Sequence, residues 1–186
     1  MASSKAIARG RVQACARWDV PAAEAALWLA WTQSGLAYAL WTAASDPRPS
    51  ELQPDIPELP VPAQYATVLT SYFAGRGVDP ASLPVDLTGT PFQLAVWHAL
   101  RAVRAGCVRS YAGIALDVHN PRAMRAVGMA NSRNPVAVVV PCHRVVEKDL
   151  RIGGYTSGLP LKRFLLELEG VAVVGDVVKP GQLTLI

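Results

Sequence analysis

The chain has 186 residues, of which 51% are hydrophobic, and a formal net charge of +4. That length accommodates one large domain or two small ones with a sizeable core. The cysteines, Cys15, Cys107 and Cys142, form an odd and scattered set. This excludes a disulfide framework, and neither they nor His98, His119 and His143 follow a metal-ligand spacing, so no metal is expected and a reducing, cytoplasmic setting is.

The first 18 residues carry four basic residues and no acid. No long apolar run follows them, so a disordered start is expected there rather than a targeting peptide. Residues 25–45 contain no charge and are long enough to span a bilayer, and the mean hydropathy of the chain is positive at +0.22. The middle of that stretch, however, is Thr32-Gln33-Ser34-Gly35, a turn composition flanked by Leu27-Trp28-Leu29 and by residues 36–41. A β-hairpin is predicted and a membrane span rejected. Six prolines between Pro47 and Pro62 then forbid a regular element. A helix is predicted over residues 64–74, with Tyr65, Val68, Leu69 and Tyr72 on its apolar face and Gly75, Gly77 and Pro80 ending it. Residues 79–89 read as a second connection, which sets the division into domains at 1–88 and 89–186.

The second half is better punctuated. Thr90-Pro91-Phe92-Gln93 is a capping box with proline at the first helical position, and its helix runs toward Gly106. Ser110 caps a short helix from Tyr111 to about Val118. Asn120-Pro121 caps another to about Ala130, and the pair reads as a helix-turn-helix. The charge is skewed to match: residues 1–88 have a net charge of −2 and residues 89–186 one of +6. Seven arginines and one acid, Asp117, lie between Arg101 and Arg144. Arginine suits bidentate phosphate contact and stacking, so a polyanionic partner is expected.

Residues 136–140, Val-Ala-Val-Val-Val, read as a strand buried on both faces. Pro141-Cys142-His143-Arg144-Val145 follows it, placing a thiol and an imidazole at the end of a rigid element. A free thiol is ionised only to about a few per cent at neutral pH, and a neighbouring base is the usual remedy. For the pair alone, a buried cysteine beside a chance histidine is the plainer reading. Val145-Val146 and Arg151-Ile152 are predicted to pair as a small wing. Residues 153–158 form a flexible loop, and Pro160 starts a last helix closed by Gly170. Glu169 sits in its last turn, where the helix dipole disfavours an anion, so a cationic or donor partner such as His143 is expected.

Taken together, Gly89-Thr90-Pro91-Phe92-Gln93 with Val96-Trp97, Ser110-Tyr111, Arg125-Ala126-Val127-Gly128, Asn134-Pro135, Pro141-Cys142-His143-Arg144-Val145, Gly158-Leu159, Leu165-Leu166 and Glu169-Gly170 resemble the O6-alkylguanine-DNA alkyltransferases. The resemblance runs from about residue 71 to 170. It implies an α/β fold: a small N-terminal RNase H-like domain of sheet and helix, then a helical, winged helix-turn-helix domain bearing a reactive cysteine. It implies direct DNA repair, in which an alkyl group passes irreversibly from guanine O6, with O4-alkylthymine as a further candidate substrate, to Cys142, one lesion per protein. His143 would take the thiol proton, directly or through a water, Glu169 would orient the imidazole, Asn134 would hold the turn carrying Cys142, and Tyr111 would donate toward guanine N3. The carbonyls of Cys142 and Val145 would read the exocyclic amine, Thr156 would face O6, Tyr155 would wall the pocket and Lys162 would brace its loop.

Arg125 would fill the stack vacated by a flipped base. Arg122, Ala126, Gly128, Arg133 and Arg144 would complete a surface for double-stranded DNA. Met124 and Met129 are bulkier, and His119 less flexible, than the family pattern at those positions. No cofactor, no membrane and a monomeric state are implied. The nearest rival is an alkyltransferase-like protein that binds the lesion without transfer, and the presence of Cys142 argues against it.

Overall fold

In the computed structural model, which describes residues 12–179, the N-terminal part is a three-stranded antiparallel sheet. Its strands are β1 (Ala14–Val20), β2 (Ala25–Trp31) and β3 (Leu36–Ala43). β2 and β3 are the predicted hairpin, and Thr32 closes its turn by taking a backbone bond from its N–H to the Gly35 carbonyl. Residues 14–18, the larger part of β1, fall within the start expected to be disordered. β1 forms because every residue of it pairs with β2, from Ala14 opposite Trp31 to Val20 opposite Ala25. Residues 1–11, the rest of the expected disordered start, lie outside the described residues.

All of β2 is buried, and alternate side chains serve opposite faces of the sheet. Leu27, Leu29 and Trp31 join the main core, against Tyr65, Leu69 and Tyr72 of α1 (Ala63–Phe73). Trp28 and Ala30 join a second cluster with Leu52 and Ile56. The proline-rich stretch is therefore a cover for the outer face, tied to the edge of β1 by bonds from Cys15 N–H to the Pro57 carbonyl and from Leu59 N–H to the Cys15 carbonyl.

In the C-terminal part, α2 (Pro91–Ala102) starts on the predicted capping box, with Thr90 and Gln93 bonded reciprocally. The Ser110 side chain caps α3 (Tyr111–Asp117) through the Gly113 N–H. β4 (Arg109–Ser110) pairs in parallel with β5 (Val145–Val146), so the predicted pairing of β5 with residues 151–152 is corrected. Arg151 bridges Val177 instead, in β7 (Val177–Val178), which itself pairs with β6 (Val173–Val174). α5 (Leu159–Leu168) begins after Gly158, and Glu169 occupies its C-cap.

The second helix of the helix-turn-helix is α4 (Met124–Ser132), three residues later than Asn120-Pro121 suggests. Asn120 supplies no side-chain cap; its carbonyl accepts from Ala123 N–H in a turn. Trp97 of α2 donates its indole N–H to the Ala130 carbonyl at 2.9 Å and anchors α4 to the core.

The expected strand over residues 136–140 is a compact turn. Val136 makes a single bridge to Ala39 of β3, and Val138 adopts φ of 72°. Asn134 closes this turn, accepting from Val136 N–H at 3.0 Å and donating to the Val140 carbonyl at 2.7 Å. An apolar run this short is equally suited to a buried turn, and a side-chain amide that satisfies its backbone decides between them. Among the described residues no helix is long and apolar enough to cross a membrane.

His119, in the turn between α3 and α4, has φ of 56°. A left-handed residue with a Cβ costs about 1–2 kcal/mol, against roughly 0.5–1 kcal/mol of chain entropy for glycine. His119→Gly is therefore expected to raise the melting temperature by a degree or more on the order-of-magnitude scale for such gains. Calorimetry on the two proteins checks this, and a lower transition for the variant would contradict it.

Candidate active site

Glu169 is the centre of the site, and it is fully enclosed. Its Oε1 accepts from the Tyr72 hydroxyl at 2.7 Å, from His143 Nε2 at 2.9 Å and from an Arg144 terminal nitrogen at 2.8 Å. Its Oε2 accepts from Arg144 Nε at 2.9 Å. Burial opposes the charge, but the imidazole and guanidinium overcome it and hold the carboxyl far below the usual carboxylate range. Glu169 is thus an anion and can only accept. That requires the hydrogen of the neutral His143 ring to sit on Nε2 and leaves Nδ1 as the bare, basic nitrogen. Nδ1 is buried and has no protein partner. Burial also pushes the His143 pKa below its ordinary 6.5, with Glu169 pulling the other way, so the ring is neutral at pH 7.

Arg144 is the cation that the helix-end carboxylate needed. Its exposure is 0%, and besides Glu169 it grips Asp79 through two bonds, at 2.9 and 3.1 Å. The expectation that Arg144 contacts DNA is corrected: a guanidinium with no exposed surface and two carboxylates in its grasp is not available to phosphates.

Cys142 lies in the wall of a cavity of about 420 Å³. Its position follows from the turn described above. Ala39 of β3 bonds the backbone of Pro135 and Ala137, and Asn134 spans from Val136 to Val140. The same Asn134 amide donates to Cys142 Sγ at 3.1 Å. Burial raises the thiol pKa, and the Asn134 amide, the Lys162 charge and the Tyr155 hydroxyl oppose the rise. Lys162 is itself buried, with Nζ donating to the carbonyls of Val145 (2.6 Å), Ile152 and Gly154 (3.3 Å); desolvation lowers its pKa to about 8. Three carbonyls on one ammonium tie the 152–154 loop to the backbone beside Cys142.

Tyr111, Gly128, Tyr155 and Thr156 line the same cavity. Val145 is buried behind it, with its carbonyl on Lys162. Arg122, Arg125, Ala126 and Arg133 are exposed on or beside α4. The cavity chemistry and the arginine surface therefore share a helix, with Gly128 on the cavity side and Arg125 on the solvent side. Among the described residues no group of His, Cys, Asp and Glu could hold a metal.

Four participants escaped the sequence reading. Tyr72 reads in the sequence only as an apolar helix position, and Asp79 lies in a connection without a regular element. Asn131 donates to the Cys142 carbonyl at 3.4 Å; its spacing of three from Asn134 was the available signal. Trp41, at the end of the hairpin, reaches the cavity across the fold.

The profile of the 6-O-methylguanine DNA methyltransferase DNA binding domain matches residues 91–171. The methylated-DNA–protein-cysteine methyltransferase of Methanosarcina acetivorans is 50% identical over 104 residues, 55% of this chain and 65% of that protein. The Mycobacterium leprae protein of the same name is 48% identical over 114 residues, 61% of this chain and 68% of that protein. The matched region thus spans about two thirds of the length of these relatives. The crystal structure of Mycobacterium tuberculosis O6-methylguanine methyltransferase superposes with a TM-score of 0.72 at 36% identity, covering 84% of this chain and 92% of that one. The Mycobacterium tuberculosis OGT structure in complex with DNA matches with a TM-score of 0.72 at 35% identity, covering 83% and 91%.

Removing Arg144 leaves Glu169 buried without its cation, whereas removing Asp79 leaves Arg144 one remaining carboxylate. Arg144→Met is expected to cost roughly 3–5 kcal/mol of folding stability. Asp79→Ala, at a part-exposed position, is expected to cost about 1–3 kcal/mol. Urea unfolding of both variants tests the order; equal losses would show that Asp79 is the indispensable partner.

Proposed function

The chain belongs to the 6-O-methylguanine DNA methyltransferase family, and on that footing we propose that it repairs DNA directly, taking the alkyl group of O6-alkylguanine onto Cys142. The observation that carries this reading is the thiol in the cavity wall, bonded by Asn134 and next in sequence to an imidazole whose tautomer Glu169 dictates.

In the proposed reaction His143 Nδ1 draws the thiol proton, through a bridging water if the two do not touch. Sγ attacks the alkyl carbon, the S–C bond forms as the C–O6 bond breaks, and the bonding pair leaves on the purine. The imidazolium lies against the Glu169 anion, which stabilises it without taking its proton. The proton is returned to the purine, giving guanine and a thioether. Nothing regenerates the thiol, so each protein acts once. Tyr111 donates toward N3 as charge builds on the base, the Thr156 N–H faces O6, and the Cys142 and Val145 carbonyls accept from the exocyclic amine.

The reactive carbon is inside a duplex, so the nucleotide must be turned out, at a cost of roughly a few kcal/mol. The exposed arginines around α4 support this step. Arg125 enters the vacated stack, and Arg122 and Arg133 meet phosphates, with Ala126 and Gly128 allowing close approach. The protein acts as a monomer in the cytoplasm and needs no cofactor.

Incubation with duplex DNA bearing O6-methylguanine, followed by mass analysis of the tryptic peptide containing Cys142, tests the class of reaction. A gain of one methylene, saturating at one per protein and absent in Cys142→Ala, is expected. Multiple turnovers, or lesion loss with an unmodified Cys142 peptide, would refute it.

The proposed base is neutral above a pKa that lies below 6.5. The transfer rate is therefore expected to decline on acidification with a midpoint below the pH at which a free imidazole titrates. A stopped-flow pH series measures this; a decline centred above pH 7 would remove neutral His143 from its role.

A further inference from the structure

Three donors meet on one oxygen of Glu169. Oε1 accepts from the Tyr72 hydroxyl at 2.7 Å, from an Arg144 terminal nitrogen at 2.8 Å and from His143 Nε2 at 2.9 Å, while Oε2 accepts from Arg144 Nε at 2.9 Å. A carboxylate oxygen has about two lone pairs to offer, so the donors on Oε1 compete. Two of them belong to the segment that carries Cys142. The third comes from α1, 97 residues before Glu169. The Tyr72 ring is buried and packs edge-on against Phe73, with centroids 5.1 Å apart, a contact that a phenylalanine would make equally well. Its hydroxyl is therefore the part that packing does not require. Burial and the Glu169 anion raise its pKa well above the ordinary value, so it stays a donor.

We propose that Tyr72 is a positioning residue for the transfer: by holding the oxygen that His143 also uses, its hydroxyl limits the pull of Glu169 on the imidazole and keeps Nδ1 unprotonated and free to draw the thiol proton. The inference rests on the proposed alkyl transfer, with His143 as its base. A proton taken up by the ring is stabilised through the Nε2–H bond to Oε1, and an oxygen already shared with other donors gains less from strengthening that bond. Among the charged groups facing the ring, Glu169 at the end of α5 favours the imidazolium. Arg144, next in the chain, and Lys162, on α5, disfavour it, as burial does. Tyr72 acts in the same sense as these last, from the N-terminal part, and without a charge. No bond is made or broken at Tyr72, whose proton stays on its own oxygen throughout.

Tyr72→Phe removes one oxygen atom and leaves the ring. Single-turnover methyl transfer from duplex O6-methylguanine is measured across pH for the native protein and this variant. The midpoint of the acid limb is expected to rise in the variant by about half a pH unit, roughly a threefold change in the protonation equilibrium. The same rise is expected in an NMR titration of the His143 ring in unreacted protein, its signal assigned by its absence in His143→Gln. A rate lowered at every pH with the midpoint unmoved, or a midpoint that falls, overturns the proposal and leaves the hydroxyl a purely structural role. The native protein supplies a reading that needs no folded variant. Its Tyr72 hydroxyl proton is expected to move upfield as His143 takes its proton, because the two share an acceptor; a resonance indifferent to that titration also overturns the proposal. Absence of methyl transfer in the native protein would instead defeat the reading of function, and the ring titration, which needs no substrate, would still decide what the hydroxyl does to His143.

Discussion

A single buried carboxylate organises this protein. Glu169 lies at the C-cap of α5, where helix carbonyls already concentrate negative potential, and its side chain is almost wholly shielded from solvent. It is tolerable only because Arg144, His143 and Tyr72 all donate to it. Those donors come from two parts of the chain, α1 and the segment after Pro141, and Arg144 in turn donates to Asp79 in the connection before α2. The charge cluster therefore pins together the elements that surround the thiol. It also sets the chemistry, because an anion that can only accept dictates which imidazole nitrogen remains basic.

A second constraint acts from the opposite side. The turn over residues 136–140 contains a left-handed valine and little regular pairing, so it needs support from outside. Asn134 provides part of it and Ala39 of β3 the rest. The N-terminal sheet is thus more than a neighbouring layer: its edge helps to fix the position of Cys142, and Trp41, two residues further along β3, enters the same cavity. Gly35, in the turn before β3, is packed so closely on the Pro84–Val85 backbone that a Cβ there would meet it at 2.6 Å. The hairpin, the connection and the turn before Cys142 are locked in series.

Much of the C-terminal part was legible in the chain because its signals are local. Thr90 and Gln93 cap α2, Ser110 caps α3, and Gly158 precedes α5, each within four residues of the bond it makes. Asn120 misled because its side chain does not cap; a type of residue common at helix starts served a turn instead. The apolar run before Pro141 misled for a different reason. Burial on all sides is compatible with a strand or a turn, and the choice rests on an amide two residues before the run.

The chain alone determined the adjacency of thiol and imidazole at Cys142 and His143, the basic bias of the second half, and the starts of α2 and α3, because adjacency, charge and capping operate over a few residues. Only the tertiary structure decided what Arg144 and Glu169 do. A guanidinium in a basic segment looks destined for phosphate until burial removes it from solvent. Burying it is possible only when carboxylates arrive from positions 25 and 65 residues away. No local pattern encodes such a meeting, since the desolvation of one charge and its neutralisation by another depend on where the packed elements bring them.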